Sequence, residues 1–286
     1  MGYSQINFTT PANLISQLEA AMISAGWTDT GLNGALGSGS GNILRSTADS
    51  DGRVCYVELY VDTASRLGIH VSPVLNAGAT DIDPNMNLFR ASDFQAGNWE
   101  CFIYGDFVVC MRGNDPDNYK FWFGRYSIFP NISATLHKYA CTMHGTYAID
   151  GGAALRPRPL SRNQAAGGVY YTVSWGNGIW KRIGLGQYTH VWSTGSHSSW
   201  SPDIGFLDGT TLFCSIPIIL GQESSQPDRG GCMGYLPHAI LTYKDVALSS
   251  GDRVTLDSGV TYYRLGVQAA DYDQANTNEV NLMFEV

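Results

Sequence analysis

Only one stretch of this 286-residue chain carries clear helical periodicity, and that scarcity limits the fold more than any other feature. In TTPANLISQLEAAMISAGW, Thr10 is placed to cap and Pro11 takes the first helical position. Leu14, Ile15, Leu18, Ala21, Met22 and Ala25 recur at helical spacing, and Gly26 supplies the stop. The pattern predicts an amphipathic helix of about four turns with its apolar stripe against a sheet. GLNGALGSGSGN, residues 31–42, reads as a flexible loop.

The rest must be built mainly from strands. RVCYVELYVD alternates, with Cys55, Val57, Leu59 and Val61 on one face, and RLGIHVSPVL gives a second strand. NWECFIYGDFVVCMRG is the clearest hairpin, with Gly105-Asp106 suited to a two-residue type II′ turn. YKFWFGRYSIF continues the meander. After IFPNISATLHKYACTMHGTYAIDGGAALRPRP, strands resume at GVYYTVSW, IWKRIGL, THVWS, GTTLFCSIPIIL, AILTYKDV, DRVTLDSGVTYYRLGV and EVNLMFEV, separated by turns such as WGNGI and LDSGV. The expected organisation is an α+β domain over residues 1–135, one amphipathic helix on an antiparallel sheet. A mainly-β domain over 136–286, a sandwich or open barrel, follows it. No repeat of fixed period points to a propeller or solenoid.

The hairpin carries a geometric expectation. If Tyr104 pairs with Phe107 on a hydrogen-bonded rung, Cys101 faces Cys110 on a non-hydrogen-bonded rung. Cα atoms there approach to about 4.5 Å, near the lower end of disulfide geometry. Two readings stay open: a pair of reduced core cysteines, or a disulfide formed after release into an oxidising exterior.

Composition excludes several classes of function. Only 15% of residues are charged, against 33 glycines, 16 tyrosines and 7 tryptophans, so large weakly charged surfaces are expected, of the kind that meet other protein. A net charge of −8 opposes nucleic-acid binding, which needs a basic field. The densest basic stretch, LRPRPLSR at 155–162, reads as an extended arm. No apolar run approaches the ~18–20 residues of a membrane span. MGYSQINFTT shows no signal-peptide pattern and Ile6 occupies the position where myristoylation needs Ser or Thr, so folding in a cytoplasm is expected.

Motifs that could carry chemistry are weak. WSTGSHSSWSPD, residues 192–203, sets Ser196, His197, Ser198 and Asp203 between two tryptophans. A hydrolase needs its nucleophile on a strained turn with base and orienter arriving from elsewhere, and no G-x-S-x-G occurs. A glycan platform on Trp192 or Trp200 is a second reading, and an aromatic-anchored contact loop formed by Trp192, His197 and Trp200 is the preferred one. In HKYACTMH, His137, Cys141 and His144 would share one helical face as zinc ligands, yet a fourth ligand is missing nearby. Asp81 with Asp83, and Asp115 with Asp117, resemble fragments of calcium loops without the glycine and distal glutamate that complete one. Asn131-Ile132-Ser133 fits a glycosylation sequon by accident. No catalytic residue, metal or cofactor is expected.

The segments NLISQLEAAMISAGWTDT and GRVCYVELYVD, followed by FWFGRYSIFP and then GYLPHAILTYKDVALSSGDRVTLDSGVTYYRLGV, form a layout that resembles virion structural proteins of tailed bacteriophages. The resemblance implies a non-enzymatic part of the neck, collar, tail end or baseplate. Such a part assembles as a ring of identical copies beside other phage structural proteins, within a virion made in the host cytoplasm. Only four of the 17 basic residues are lysine (Lys120, Lys138, Lys181 and Lys244), which suits an interface core that favours aromatics and arginine.

Overall fold

The structure, a computed structural model, describes residues 2–33, 42–61, 65, 67–72, 75, 88–91, 94, 96–112, 120–128, 141–145, 170–174, 180–184, 216–221, 232–243, 251–269 and 280–286. The chain divides into two compact units, residues 1–157 with 169–182 and residues 158–168 with 183–286. The architecture is α+β with antiparallel strands dominating, and α1 (Pro11–Ser24) is its one helix among the described residues.

The first unit opens with β1 (Tyr3–Phe8), then α1, β2 (Thr28–Asn33), β3 (Asn42–Arg45), β4 (Tyr56–Val61), β5 (Leu67–Ser72) and β6 (Leu88–Ala91). The hairpin strands β7 (Gly97–Ile103) and β8 (Phe107–Arg112) come next, then β9 (Lys120–Arg125), β10 (Ser127–Ile128) and β11 (Cys141–Gly145). Two five-stranded sheets result, ordered β1-β7-β8-β9-β11 and β2-β3-β4-β5-β6. A single core joins them to the helix. Leu14, Leu18 and Met22 of α1 meet Val57, Leu59, Ile69 and Val71 of the second sheet, and Cys101, Val108, Phe121 and Phe123 of the first. The alternation of Cys55, Val57 and Leu59 toward the core follows the sequence, while Val61 is only half-buried.

The helix ends as its residues dictate. The Thr10 hydroxyl accepts from the Asn13 N–H at 3.1 Å, which satisfies one of the first-turn donors. At the other end Gly26 adopts φ +110°, the Gly26 N–H donates to the Ile23 carbonyl and the Trp27 N–H to the Met22 carbonyl, both at 3.0 Å. This is a Schellman closure, and it turns Trp27 inward, where only 2% of its surface stays exposed.

Three expectations change. Residues 31–33 of the glycine-rich stretch belong to β2 and Asn42 to β3. Gly31 at φ +70° sits where the β2–β3 register shifts, and the Asp29 carboxylate accepts the Gly31 N–H at 2.8 Å in place of a ladder bond. Cys141 and His144 lie on a strand, not a helix. A strand does not repeat at helical spacing, so the shared helical face that grouped them is absent. At the Gly105-Asp106 turn the two-residue connection holds, with the Tyr104 N–H donating to the Phe107 carbonyl at 2.9 Å. Gly105 nevertheless lacks the positive φ of a type II′ turn. Its role is close approach: a Cβ there would stand 2.9 Å from Thr47 Cγ2 and 3.1 Å from the Ala25 carbonyl oxygen.

Beyond the first unit's sheets, β12 (Tyr170–Ser174) and β13 (Trp180–Gly184) form a two-stranded sheet. The second unit holds β14 (Ile216–Gly221), β15 (Cys232–Tyr243), β16 (Arg253–Thr255), β17 (Thr261–Ala269) and β18 (Val280–Glu285). Strand β15 pairs with β14 and β18, and β17 lies between β18 and β16. The LDSGV turn closes β16 onto β17, with Gly259 at φ +82° and the Leu256 N–H donating to the Val260 carbonyl at 2.9 Å. Ile240, Tyr263, Met283 and Phe284 are buried here.

Candidate functional site

Among the described residues, a cluster of charged side chains gathers around the β7–β8 turn. Each backbone carbonyl of the turn is taken by a different part of the first unit. The Trp27 indole N–H donates to the Tyr104 carbonyl at 2.7 Å, the Thr47 N–H to Gly105 at 2.7 Å and the Arg125 N–H to Asp106 at 2.7 Å. Strand β9 comes this close because Gly124, at φ +142°, has no side chain. A Cβ there would stand 2.3 Å from the Asp106 carbonyl oxygen and 2.7 Å from the Phe107 Cα.

The same approach assembles an ionic chain. Arg125 donates through Nη2 to the Asp106 carboxylate at 2.9 Å and stands 3.5 Å, through Nη1, from Asp49 Oδ2. Asp49 is also bound by Arg53 Nε at 2.7 Å, and Arg53 Nη2 reaches Asp51 at 2.7 Å. The Asp49 loop is shaped by its own carboxylate, whose Oδ1 accepts the N–H groups of Asp51 and Arg53, both at 2.9 Å. Burial pushes Asp49 upward, but the hydrogen bonds from the Arg53 backbone and side chain, with the charges of Arg53 and Arg125, outweigh it and hold the carboxyl below its usual range. Both guanidinium groups are engaged by carboxylates. The cluster therefore works as a clasp across three chain segments and presents no paired acid and base.

Two cysteine pairs are buried in the core of this unit. Cys101 stands directly opposite Cys110 in the β7–β8 ladder, as the hairpin count requires, and both are buried free thiols. Burial pushes the Cys110 thiol far up, with Cys101 adding to the shift. The second pair joins distant segments. Cys55 precedes β4 and Cys141 begins β11; both are fully buried in the same core, and Cys141 reaches the residue just before Cys55. The Cys141 Sγ lies 3.6 Å from the Val54 carbonyl oxygen. Burial, then the neighbouring Cys141, drives the Cys55 thiol well above its usual value. Tyr126 stands near Cys141: its ring is fully buried, and burial raises its hydroxyl strongly.

Two further buried or bent positions carry polar groups. Glu58 and His70 face each other across β4 and β5, with His70 Nδ1 3.7 Å from Glu58 Oε2. In the second unit His238 takes φ +58° at an irregularity of β15, and its Nδ1 lies 3.0 Å from Glu285 Oε2 on β18. Among the described residues no group of three His, Cys, Asp or Glu side chains is placed to hold a metal.

The contact loop of Trp192, His197 and Trp200, the zinc candidate His137, both aspartate pairs and the sequon at 131–133 lie outside the described residues. Sequence reasoning found Cys101 with Cys110 because a hairpin is local. It missed Cys55 with Cys141, and Arg125 with Asp49, because nothing in the intervening chain marks them as neighbours.

Among the described residues no helix is long and apolar enough to cross a membrane. No protein-family model matches the chain, and neither does any curated protein.

Proposed function

We propose that this protein is a non-enzymatic structural component of a tailed-phage virion, a ring-forming neck, collar, head–tail joining or tail-end protein. It would work beside other phage structural proteins, with an α+β domain over residues 1–135 and a sandwich or open barrel over 136–286. The observation that carries the reading is the outer edge of β1, which pairs with no further strand among the described residues. Because the Ile103 N–H donates to the Gly2 carbonyl, the backbone groups of Ser4 and Ile6 turn toward β7 and those of Gln5 and Asn7 turn outward. One outward group, the Asn7 carbonyl, accepts from Gln17 Nε2 at 3.2 Å. The strand YSQINF carries no charge and no proline, and its register with β7 is unbroken. Proteins that must stay apart blunt such edges with lysine, proline or bulges; an edge without them is a template for a strand from another chain. The low charge, the scarcity of lysine and the phage-like layout of the sequence agree with it.

The test is assembly. Light scattering on the purified full-length chain, with mass spectrometry and imaging of particles, is expected to show rings and copy numbers in multiples of six. In the Gln5→Pro variant the lost N–H is one that points away from β7, so the fold persists while the oligomer dissociates. A wild-type chain that stays monomeric at high concentration, or that turns over a substrate, would sink the reading. The second reading, a host-surface or glycan-binding module of a tail or baseplate, rests on Trp192 and Trp200 standing among polar residues. Glycan binding lost on Trp200→Ala would favour it.

A further inference from the structure

We infer that Cys55 and Cys141 form a cross-linking site, a dithiol that closes to a disulfide under oxidising conditions and fastens the two five-stranded sheets of the first unit together. The geometry separates this pair from the other. Cys101 and Cys110 sit on adjacent strands of a two-residue hairpin whose ladder already fixes their separation. A bond there removes less freedom from the unfolded chain, because it closes a much shorter loop. Cys55 immediately precedes β4 of the second sheet, and Cys141 opens β11 at the edge of the first. The segment between them contains β4 through β10. A bond between these sulfurs would therefore span most of the first unit's strands, and a loop of that length is where a covalent link constrains the unfolded ensemble most.

The site is held in position by its surroundings. The Cys55 N–H donates to Ser46 Oγ at 2.9 Å, and the Ser46 N–H donates to the Cys55 carbonyl at 2.8 Å, so the backbone at Cys55 is pinned on both sides. Register with Arg125 fixes Cys141, and Arg125 is itself gripped by Asp106 and Asp49. The clasp thus sets the spacing of the two thiols from the neighbouring residue on β9.

The oxidant is a dialkyl disulfide such as oxidised glutathione. One cysteine, as thiolate, attacks it and forms a mixed disulfide, releasing one glutathione thiolate. The second cysteine, as thiolate, attacks the protein sulfur of that mixed disulfide and releases a second glutathione. The two thiol protons leave with the two glutathiones, the cysteines lose two electrons, and the glutathione disulfide gains them. Attack needs an ionised and accessible thiol. The folded site, fully buried, gives no access, so closure belongs to the folding chain or to transient opening, and the closed bond is then shielded from reductant.

The test uses the full-length chain, refolded from denaturant in a glutathione redox buffer and, in parallel, refolded in excess reductant. Free thiols are alkylated and the digest is mapped by mass spectrometry. A Cys55–Cys141 linked peptide is expected in the oxidised sample, with a Tm several degrees above the reduced one. That difference persists in Cys110→Ala and vanishes in Cys141→Ala. The peptide map of the wild-type chain stands independently of how well either variant folds. An oxidised sample holding only a Cys101–Cys110 link, or no link, overturns the inference. So does a Cys55–Cys141 link that leaves the Tm unchanged.

Discussion

At the scale of single residues, the most consequential side chain is Trp27. It ends the helix, fills the core and donates its indole N–H to the carbonyl of Tyr104. Trp27→Phe keeps most of the buried ring but removes the indole donor from that carbonyl, so a loss of about 1–3 kcal/mol is expected in denaturant unfolding. The cap at Thr10 and the glycine stop at Gly26 were legible, because each signal sits within a turn of the residue it serves. The partner of the indole was not, since Tyr104 lies 77 positions away. Asp49 behaves likewise: its contacts with Asp51 and Arg53 are local and readable as an aspartate turn, whereas its contact with Arg125 is made by the fold. The folded-state pKa of Asp49 is lowered, so its ionised form contributes stability above its unfolded pKa of about 4, and that contribution is lost as pH falls through the lower folded value. Asp49→Asn should therefore unfold more easily at neutral pH and show a shallower decline below pH ~4, measured by urea midpoints across the acid range.

Elements divide by how far their signals reach. Helix α1 and the β7–β8 hairpin were legible because period and turn are both local. Strand β1 went unread although Ile6 and Phe8 alternate with polar neighbours, since one short strand without a turn beside it gives little contrast. Strand β11 was not read as a strand: the spacing of His137, Cys141 and His144 prompted only a helical zinc test, while its pairing with β9 runs without interruption from Cys141 opposite Arg125 to Gly145 opposite Phe121. The element most sensitive to a small change is β9. Gly124→Ala places a methyl against the Asp106 carbonyl and the Phe107 Cα, both backbone, so no side chain can swing aside. We expect a loss of more than about 2 kcal/mol, together with weakening of the Arg125–Asp106 pair, seen as lost protection of the Arg125 amide in hydrogen exchange.

For the whole molecule, the class of fold was legible from one helix and many short alternating runs, but the order of strands was not. Composition states that sheets will form; it does not state that β1 adds beside β7 or that the core joins two sheets through one helix. Pairing Tyr3 with Phe102 and Phe8 with Gly97 also has a consequence in time. As the chain is made, β1 waits for its partner β7 until the hairpin that receives it has left the ribosome. Until then the apolar side chains of Ile6 and Phe8 wait uncovered beside a growing helix. Docking is a late, long-range closure, slow by its nature, and the nascent chain is most open to capture by chaperones, or by a sister chain on the same message, during that interval.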